Sequence, residues 1–243
     1  MIYNEEYQIP FFFGTQNETI SLSTLVNIML LVSEHQLDEA HAGVAALAEH
    51  GAGWVITQYH LTVSRWPNVE EVVNVGTEAT SYNKFLTYRN YWIDDASGNR
   101  LATLESTWVM MDLTSRKIIN VIPEIVEGVG AQLDTKVKHF PRISKITTAT
   151  ETLPYRVRFF DIDANGHVNN AHYFDWMQDS LGADWLRSHT MTAIDIRYER
   201  EVAYGQTPQA EYEFDADNPL ITKHRIMTDG VVNAEAQMTW ENN

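Results

Sequence analysis

The chain has 243 residues, a length that fits one large domain or two domains of about 100–150 residues. Hydrophobic residues make up 44% and charged residues 21%, as in an ordinary globular protein with a sizeable core. The formal net charge of −16 argues against binding to nucleic acid phosphates or to an anionic membrane. The absence of cysteine excludes disulfides, thiolate metal sites and a cysteine nucleophile.

Targeting signals are not evident. The first residues, Met1–Glu6, lack the basic and apolar regions of a secretory signal peptide. The longest apolar runs fall far below the roughly 20 residues of a membrane-spanning helix. We therefore expect a cytoplasmic protein without a membrane span.

Hydrophobic spacing predicts the elements of the first half. Apolar residues three and four positions apart predict a helix over Ser21–Ala40, followed by a Gly/Ala-rich loop to Gly53. Asp134–Thr150 is predicted to be a linker. The expected strands are Tyr7–Phe13, Trp54–Val63, a hairpin within Glu71–Asp94, and Leu101–Leu113.

The second half repeats this order of elements. It is predicted to begin with a strand over Tyr155–Phe160, a polar turn and a helix that runs to about His189. The expected later strands are Ile194–Val202, Gln209–Phe214, Ile221–Thr228 and Val231–Trp240.

The two halves also align without a gap over their first strand and helix, at an offset of 148 residues. A duplicated unit explains this better than chance does. The matching pairs are Tyr7 and Tyr155, Phe11 and Phe159, Phe12 and Phe160, Asn17 and Asn165, and Met29 and Met177. The sequence thus predicts an α+β fold of two tandem units, each a long helix wrapped by an antiparallel β-sheet. The predicted division is 1–133, a linker over 134–150, and 151–243.

The ionisable residues of the polar turn occur in the second copy only. If this turn is catalytic, the first unit is degenerate and serves packing or substrate binding. The first copy has Phe13, Thr15 and Thr19 where the second has Asp161, Asp163 and His167.

The polar turn itself leads into an amphipathic helix. Tyr173, Met177 and Leu181 follow it at spacings of four, on one helix face. The N–H groups at the start of a helix are unpaired and the dipole there is positive. We therefore expect N–H groups of Val168–Asn170 to hold an oxyanion.

Other interpretations of this turn compete with catalysis. Asp161, Asp163 and Asn165 copy the opening of a calcium loop, but the twelfth position, which needs Glu, is His172. His167 and His172 are five residues apart and diverge around a helix, whereas a zinc site on a helix needs a spacing of four.

Local structure is a further explanation for some of these side chains. Asp161, Asn169 and Asn170 could serve as caps or turn formers. Gly51-Ala52-Gly53 and Gly128-Val129-Gly130 do not complete a dinucleotide fingerprint. We expect neither a metal nor a cofactor.

At this turn the sequence resembles a known family. The run Asp161–Asn170 is similar to the active-site stretch of hotdog-fold thioesterases, and more closely of the tandem-hotdog acyl-ACP thioesterases of plants and bacteria. Further stretches resemble motifs of that family in the same order: Trp54–Thr57, Ser106–Met111, Ile122–Glu124 and Tyr198–Val202.

The resemblance implies hydrolysis of fatty acyl-ACP to free fatty acid and ACP, which ends fatty acid synthesis. It implies a catalytic set of Asp163, Asn165, His167 and Glu201. Plant members commonly have a cysteine directly after that Glu, and here the position is Val202. The implied partner is acylated acyl carrier protein, and two hotdog units in one chain are compatible with a monomer or a homodimer.

Thioester chemistry suggests roles for these residues. A thiolate leaves without much help, whereas water needs a base, so general-base catalysis should dominate. We expect Glu201 and His167 to activate a water, Asn165 to position it or the carbonyl, and Asp163 to orient its neighbours or, as the alternative, to attack directly. On an ideal strand, however, Glu201 shares a face with Glu199 and points away from the helix. Only a bulge would correct this.

The charge of the carrier protein bears on how it could dock. The acyl carrier proteins of this system are acidic, as is this chain, so docking would need a local basic patch. The candidate patch lies in the linker and consists of Lys136, Lys138, His139, Arg142 and Lys145.

Alternatives to the acyl-ACP hydrolase are an acyl-CoA thioesterase, a non-catalytic acyl-carrier or lipid-binding module, and a hotdog dehydratase.

Overall fold

A computed structural model of the chain describes residues 1–164 and 166–243. The chain forms two compact units, residues 1–20 with 25–140 and residues 21–24 with 141–243. In the described ranges, no helix combines the length and apolar character that a membrane span requires.

The first unit joins one long helix to an antiparallel sheet. Its helices are α1 (Leu22–Glu39, which groups with this unit from Leu25 onward), α2 (Val44–Glu49) and α3 (Pro123–Gly128). Its strands are β1 (Ile2–Gln8), β2 (Ala52–Val63), β3 (Val72–Tyr82), β4 (Leu86–Asp95), β5 (Arg100–Asp112), β6 (Ile118–Ile119) and β7 (Gln132–Leu133).

The main sheet of this unit has the order β1-β3-β4-β5-β2, with antiparallel neighbours. Helix α1 buries the apolar face predicted from its spacing, with Leu25, Met29 and Val32 shielded from solvent. Burial of such a face supplies most of the stability of a helix in a globular protein.

The second unit has the same organisation with shorter helices. Its helices are α4 (Ala171–Asp179) and α5 (Ala183–Ser188). Its strands are β8 (Glu151–Pro154), β9 (His189–Tyr198), β10 (Gln209–Phe214), β11 (Ile221–Thr228) and β12 (Val231–Asn242). The sheet order is β9-β12-β11-β10-β8, again with antiparallel neighbours.

Helix α4 lies on this sheet and contacts β10 and β11. The face with Tyr173 and Met177 is buried, as the spacing predicts. The polar turn before α4 is joined to the segment that follows β9, through the bridge between His167 and Ala203. The α+β architecture expected from the sequence, two units that each pair a helix with an antiparallel sheet, is confirmed.

Four predicted elements are wrong in their ends or type. One of them, the strand expected over Ile194–Val202, ends at Tyr198. Tyr7–Phe13 is not one strand, because β1 ends before Pro10, which lacks an N–H, and a 3₁₀ helix follows over Phe11–Phe13. Tyr155–Phe160 is likewise not a strand, and the chain forms a 3₁₀ helix over Phe159–Asp161.

The helix expected to run to His189 is broken into α4 and α5. Gly182, between them, has φ of +83°, a conformation that a helix does not contain and that glycine adopts without a steric penalty. Helices α2 and α3 were not predicted, because they are six residues long and give little periodic signal.

Candidate active site

The polar turn closes on itself through main-chain hydrogen bonds. Ile162 and Val168 form an antiparallel bridge. Inside this bridge the Asp163 N–H donates to the His167 carbonyl at 2.8 Å, and the Gly166 N–H donates to the Asp163 carbonyl at 3.0 Å. The turn therefore holds Asp163 and His167 at its two ends. Asn165, the remaining predicted residue of this turn, lies outside the described residues.

Asp161 anchors the turn. Its buried carboxylate accepts hydrogen bonds from the Arg158 main-chain N–H at 2.8 Å and from Arg158 Nε at 2.9 Å. Its carbonyl accepts the Asn169 N–H at 2.8 Å. Burial by itself would raise the pKa of Asp161, but the hydrogen bonds from Arg158 outweigh it, and the pKa lies below its ordinary value. Asp161 thus ties the 3₁₀ helix to the segment that leads into α4.

The start of α4 is capped by one of the two asparagines. Asn169 Oδ1 accepts the Ala171 N–H at 2.9 Å, as expected for a helix cap. Asn170 has helical φ and ψ and makes no capping side-chain hydrogen bond. The oxyanion role expected for the N–H groups is wrong for Val168 and Asn169, because these donate to the carbonyls of Val202 and Asp161.

His167 and Glu201 meet directly. His167 Nε2 lies 3.1 Å from Glu201 Oε2, and the two side chains are 29% and 41% exposed. The main chains are joined beside this contact, since His167 bridges Ala203 and the Val168 N–H donates to the Val202 carbonyl at 2.9 Å. The opposite ring nitrogen, His167 Nδ1, is buried and has no hydrogen-bond partner among the described residues.

The contact exists because the strand before Glu201 ends early. Strand β9 stops at Tyr198, although the sequence predicts a strand to Val202. The N–H groups of Glu199 and Arg200 both donate to the carbonyl of Asn233, at 2.8 and 3.1 Å. Two successive donors on one acceptor interrupt the alternation of the strand, as in a β-bulge. Glu201 therefore reaches the turn, against the expectation from ideal strand geometry.

Tyr173 is a site residue that the sequence analysis treated only as core. Its buried hydroxyl accepts the Val202 N–H at 3.0 Å. Burial raises the pKa of Tyr173 well above its ordinary value, and the carboxylates of Glu201 and Asp163 raise it further. The available signal was a tyrosine on the buried face of the helix, since a buried tyrosine hydroxyl usually has a hydrogen-bond partner.

The arrangement favours proton transfer over metal binding. His167 and Glu201 are in contact, and Asp163 is joined to His167 through the main chain. His172 lies apart, 3.8 Å from Asp161 and 3.7 Å from Asp175. In the described part of the chain, no group of three His, Asp or Glu residues is placed to hold a metal ion. A carboxylate hydrogen-bonded to an imidazole and partly open to solvent can activate a water molecule.

Comparison with known proteins agrees with the resemblance seen in the sequence. Residues 1–129 match the acyl-ACP thioesterase N-terminal domain, and residues 144–242 match the acyl-ACP thioesterase C-terminal domain. The chain belongs to the acyl-ACP thioesterase family.

Several curated plant members of this family resemble the chain. A palmitoyl-acyl carrier protein thioesterase of Gossypium hirsutum is 25% identical over 216 residues, which cover 83% of this chain and 52% of the relative. The oleoyl-acyl carrier protein thioesterase 2 of Arabidopsis thaliana is 21% identical over 240 residues, covering 91% and 65%. The chain thus spans about half the length of the first of these relatives and about two thirds of the second.

Solved structures of similar proteins share the fold over the whole chain. A Lactobacillus plantarum protein, provisionally assigned as an oleoyl thioesterase, has a TM-score of 0.95 and 37% identity and covers 100% of this chain and 96% of its own. The 12:0-ACP thioesterase of Umbellularia californica has a TM-score of 0.88 at 19% identity, covering 100% and 98%, which supports the tandem hotdog fold.

Proposed function

We propose that this protein hydrolyses fatty acyl-ACP and releases free fatty acid and ACP. One observation carries the proposal: in a chain of the acyl-ACP thioesterase family, His167 Nε2 and Glu201 Oε2 lie 3.1 Å apart beside Asp163. The family resemblance indicates residues in two distant segments of the chain. These residues thus meet close to the N-terminus of α4.

The reaction needs a base more than an acid. Water adds to the thioester carbonyl carbon, the C–S bond breaks, and the sulfur leaves as the thiolate of the carrier arm. The thiol has a pKa of about 8.5, so the thiolate departs readily, while water is a poor nucleophile until a proton is removed. The proton taken from water ends on the product thiolate or in solution.

We assign the proton acceptor to Glu201. With a neutral imidazole, the His167 Nε2–H donates to Glu201 Oε2 and holds the carboxylate in place. Glu201 is 41% exposed, so water can reach it, whereas His167 Nδ1 is buried. In this proposal Asp163 orients the pair, and Asn165 positions the water or the thioester carbonyl.

The two units have different tasks in this proposal. Residues 1–133 form the catalytically degenerate hotdog that binds the acyl chain, 134–150 is the linker, and 151–243 carries the catalysis. This follows from the side chains of the two turns, since Thr15 and Thr19 in the first unit have no carboxylate or imidazole.

The carrier would dock through local positive charge. Lys136, His139, Arg142 and Lys145 are exposed, and a basic segment in an acidic protein can attract an acidic carrier. Lys138 is part of the first unit, where its ammonium donates to Thr80 Oγ1 at 2.9 Å. A cytoplasmic location and a monomeric or homodimeric state stay predictions.

The test is thiol release from a series of acyl-ACP and acyl-CoA substrates of increasing chain length. Thr19→Ala is the matched control for His167→Ala, because it truncates the corresponding position in the first turn. We expect hydrolysis of acyl-ACP that Thr19→Ala retains and that His167→Ala lowers by about 10²–10⁴-fold, because the Glu201 base loses the imidazole that holds it in place.

Other outcomes would select a different function. Faster release from acyl-CoA would favour the acyl-CoA thioesterase. Tight binding of acyl-ACP without thiol release would favour a non-catalytic acyl-carrier module. Hydration of a double bond with the thioester intact would identify a dehydratase.

A further inference from the structure

Asn233 is an extra residue in the pairing of β12 with β11. Ile226 lies opposite Ala234, but the next residue, Met227, lies opposite Val232, so Asn233 has no partner across the strands. A bulge of this kind redirects a side chain. The Asn233 side chain turns into the protein and is only 3% exposed.

Asn233 holds the segment that carries Glu201. Its carbonyl accepts the N–H groups of Glu199 and Arg200, at 2.8 and 3.1 Å. Its side-chain Nδ2 donates to the carbonyls of Arg200 and Glu201, at 3.3 Å each. Since both groups facing this end of the amide are acceptors, the NH₂ rather than the oxygen must face them.

The other side of the same segment is held by different elements. The Val202 N–H donates to the Tyr173 hydroxyl at 3.0 Å, and the Val202 carbonyl accepts the Val168 N–H at 2.9 Å. Glu201 therefore lies between a main chain fixed to Asn233 and a main chain fixed to the polar turn. The Cα of Glu201, from which the side chain reaches His167, is thus held from both sides.

We propose that Asn233 is a positioning residue for Glu201. By holding the bulge over Glu199–Glu201, Asn233 orients the Glu201 side chain toward His167. This proposal rests on the proposed thioesterase function, in which Glu201 takes the proton from water. Asn233 itself is too deeply buried to contact the substrate.

The hydrogen bonding of Asn233 favours this role over a purely structural one. Asn233 Oδ1 is buried and has no hydrogen-bond partner among the described residues. An unpaired buried acceptor opposes folding. The hydrogen bonds that its side chain does make both go to main-chain carbonyls of the segment that carries the Glu201 carboxylate.

The test compares Asn233→Asp, which keeps the shape and loses the donors, with Thr228→Val in the same hairpin. Thr228 is also buried, and among the described residues its side-chain oxygen has no hydrogen-bond partner, in residues 199–201 or elsewhere. With the full chain and acyl-ACP as substrate, we expect Asn233→Asp to lower kcat by about 10- to 100-fold with KM unchanged, because a catalytic group displaced by about 1 Å costs that much. Thr228→Val should keep kcat within about twofold.

A second comparison separates positioning from damage to the fold. If Asn233 acts through Glu201, its effect should disappear once the carboxylate is gone, so Glu201→Gln/Asn233→Asp should be no slower than Glu201→Gln. If Asn233→Asp lowered kcat by the same factor in the wild type and in Glu201→Gln, the proposal would be overturned. Asn233→Ala, which removes the donors without adding a charge, should behave in the same way if Asn233→Asp does not fold.

An NMR measurement tests the inference without relying on activity. The ring signals of His167, assigned by their loss in His167→Ala, should shift in Asn233→Asp in the same direction as in Glu201→Gln, and stay in place in Thr228→Val. Unmoved signals in Asn233→Asp would refute the positioning role. If the wild-type protein releases no thiol from any acyl-ACP, the proposed function fails, and the NMR result still decides the placement of Glu201.

Discussion

The polar turn of the second unit has a close counterpart in the first unit, at the offset of 148 residues seen in the sequence. Both turns are bridged at their ends, Gly14 to Ile20 in the first and Ile162 to Val168 in the second. The N–H that closes each turn donates over the same distance, 2.8 Å: Thr15 to Thr19, and Asp163 to His167.

The agreement extends to an unusual main-chain conformation. Glu18 has φ of +61° and its counterpart Gly166 has φ of +83°, both in the left-handed region. The turn therefore keeps this shape even where the residue is not glycine, although a side chain there is strained.

The difference between the turns lies in their side chains. Where the second unit has Asp163 and His167, the first has Thr15 and Thr19, whose hydroxyls neither ionise nor act as bases near neutral pH. His167 bridges Ala203, two residues after Glu201, whereas Thr19 bridges Asn68. One main-chain scaffold occurs twice, and a few side chains distinguish a candidate active site from a structural turn.

The largest effect should come from removing the Glu201 carboxylate, which contacts His167 in the second turn. Glu201→Gln keeps the size of the side chain and removes the base, so kcat for acyl-ACP should fall by about 10²–10⁴-fold. Glu199→Gln is the control, because Glu199 is also 41% exposed and pairs with Arg197 instead. Equal decreases in kcat in both variants would mean that kcat depends on negative charge near the bulge and not on the contact with His167.

Both units bury ionisable groups, and these differ between the units. The first buries Arg89, which donates to Gln36 Oε1 and Thr77 Oγ1, and the second buries His224, whose Nε2 lies 2.8 Å from Thr222 Oγ1. Burial lowers the pKa of His224 from 6.5 to about 3.

This buried histidine should make the fold sensitive to acid. Between pH 6.5 and 3 the unfolded chain binds a proton at His224 that the folded chain excludes, so stability falls as the pH falls. From pH 7 to 5 the loss from His224 should be about 2 kcal/mol, since one pKa unit corresponds to about 1.4 kcal/mol.

Urea unfolding at the two pH values, with His224→Gln beside the wild type, measures this loss. The variant should lose about 2 kcal/mol less between pH 7 and 5, because glutamine does not titrate. Equal losses in the two proteins would show that His224 takes up its proton without unfolding.

The smallest effect should come from substituting the two residues with positive φ, Gly166 and Glu18. Gly166→Ala should destabilise the protein by about 1 kcal/mol, because a Cβ there meets no neighbouring atom and only main-chain strain is added. Glu18→Gly should stabilise it by up to about 1 kcal/mol through relief of the same strain. Thermal unfolding of both variants measures this, and a change of the same sign in both would contradict the equivalence of the turns.

Much of the fold could be predicted from the sequence, because it depends on local patterns. The spacing of Leu25, Met29 and Val32 indicated helix α1, and alternating strands with turn residues indicated both sheets. The break at Gly182 was missed, since an isolated glycine also occurs within helices, and the exposed aromatic pair Phe159-Phe160 was mistaken for a strand.

The candidate site could be predicted only in part. Asp163, Asn165 and His167 stand together in the sequence and were recognised by their family resemblance. The contact between His167 and Glu201 could not be derived, because strand periodicity turns Glu201 away. The bulge that reverses this depends on Asn233, 32 residues further along the chain, and a single sequence shows no signal for such a pairing.

We expect the second turn, and not its counterpart in the first unit, to carry out hydrolysis. The most direct measurement is the rate of thiol release from acyl-ACP by His167→Thr and by Thr19→His, which exchange the residues of the two turns, at matched folding by circular dichroism. We predict a loss of at least about 100-fold in His167→Thr and a rate within about twofold of wild type in Thr19→His. Activity retained in His167→Thr, or lost equally in both variants, would contradict the account.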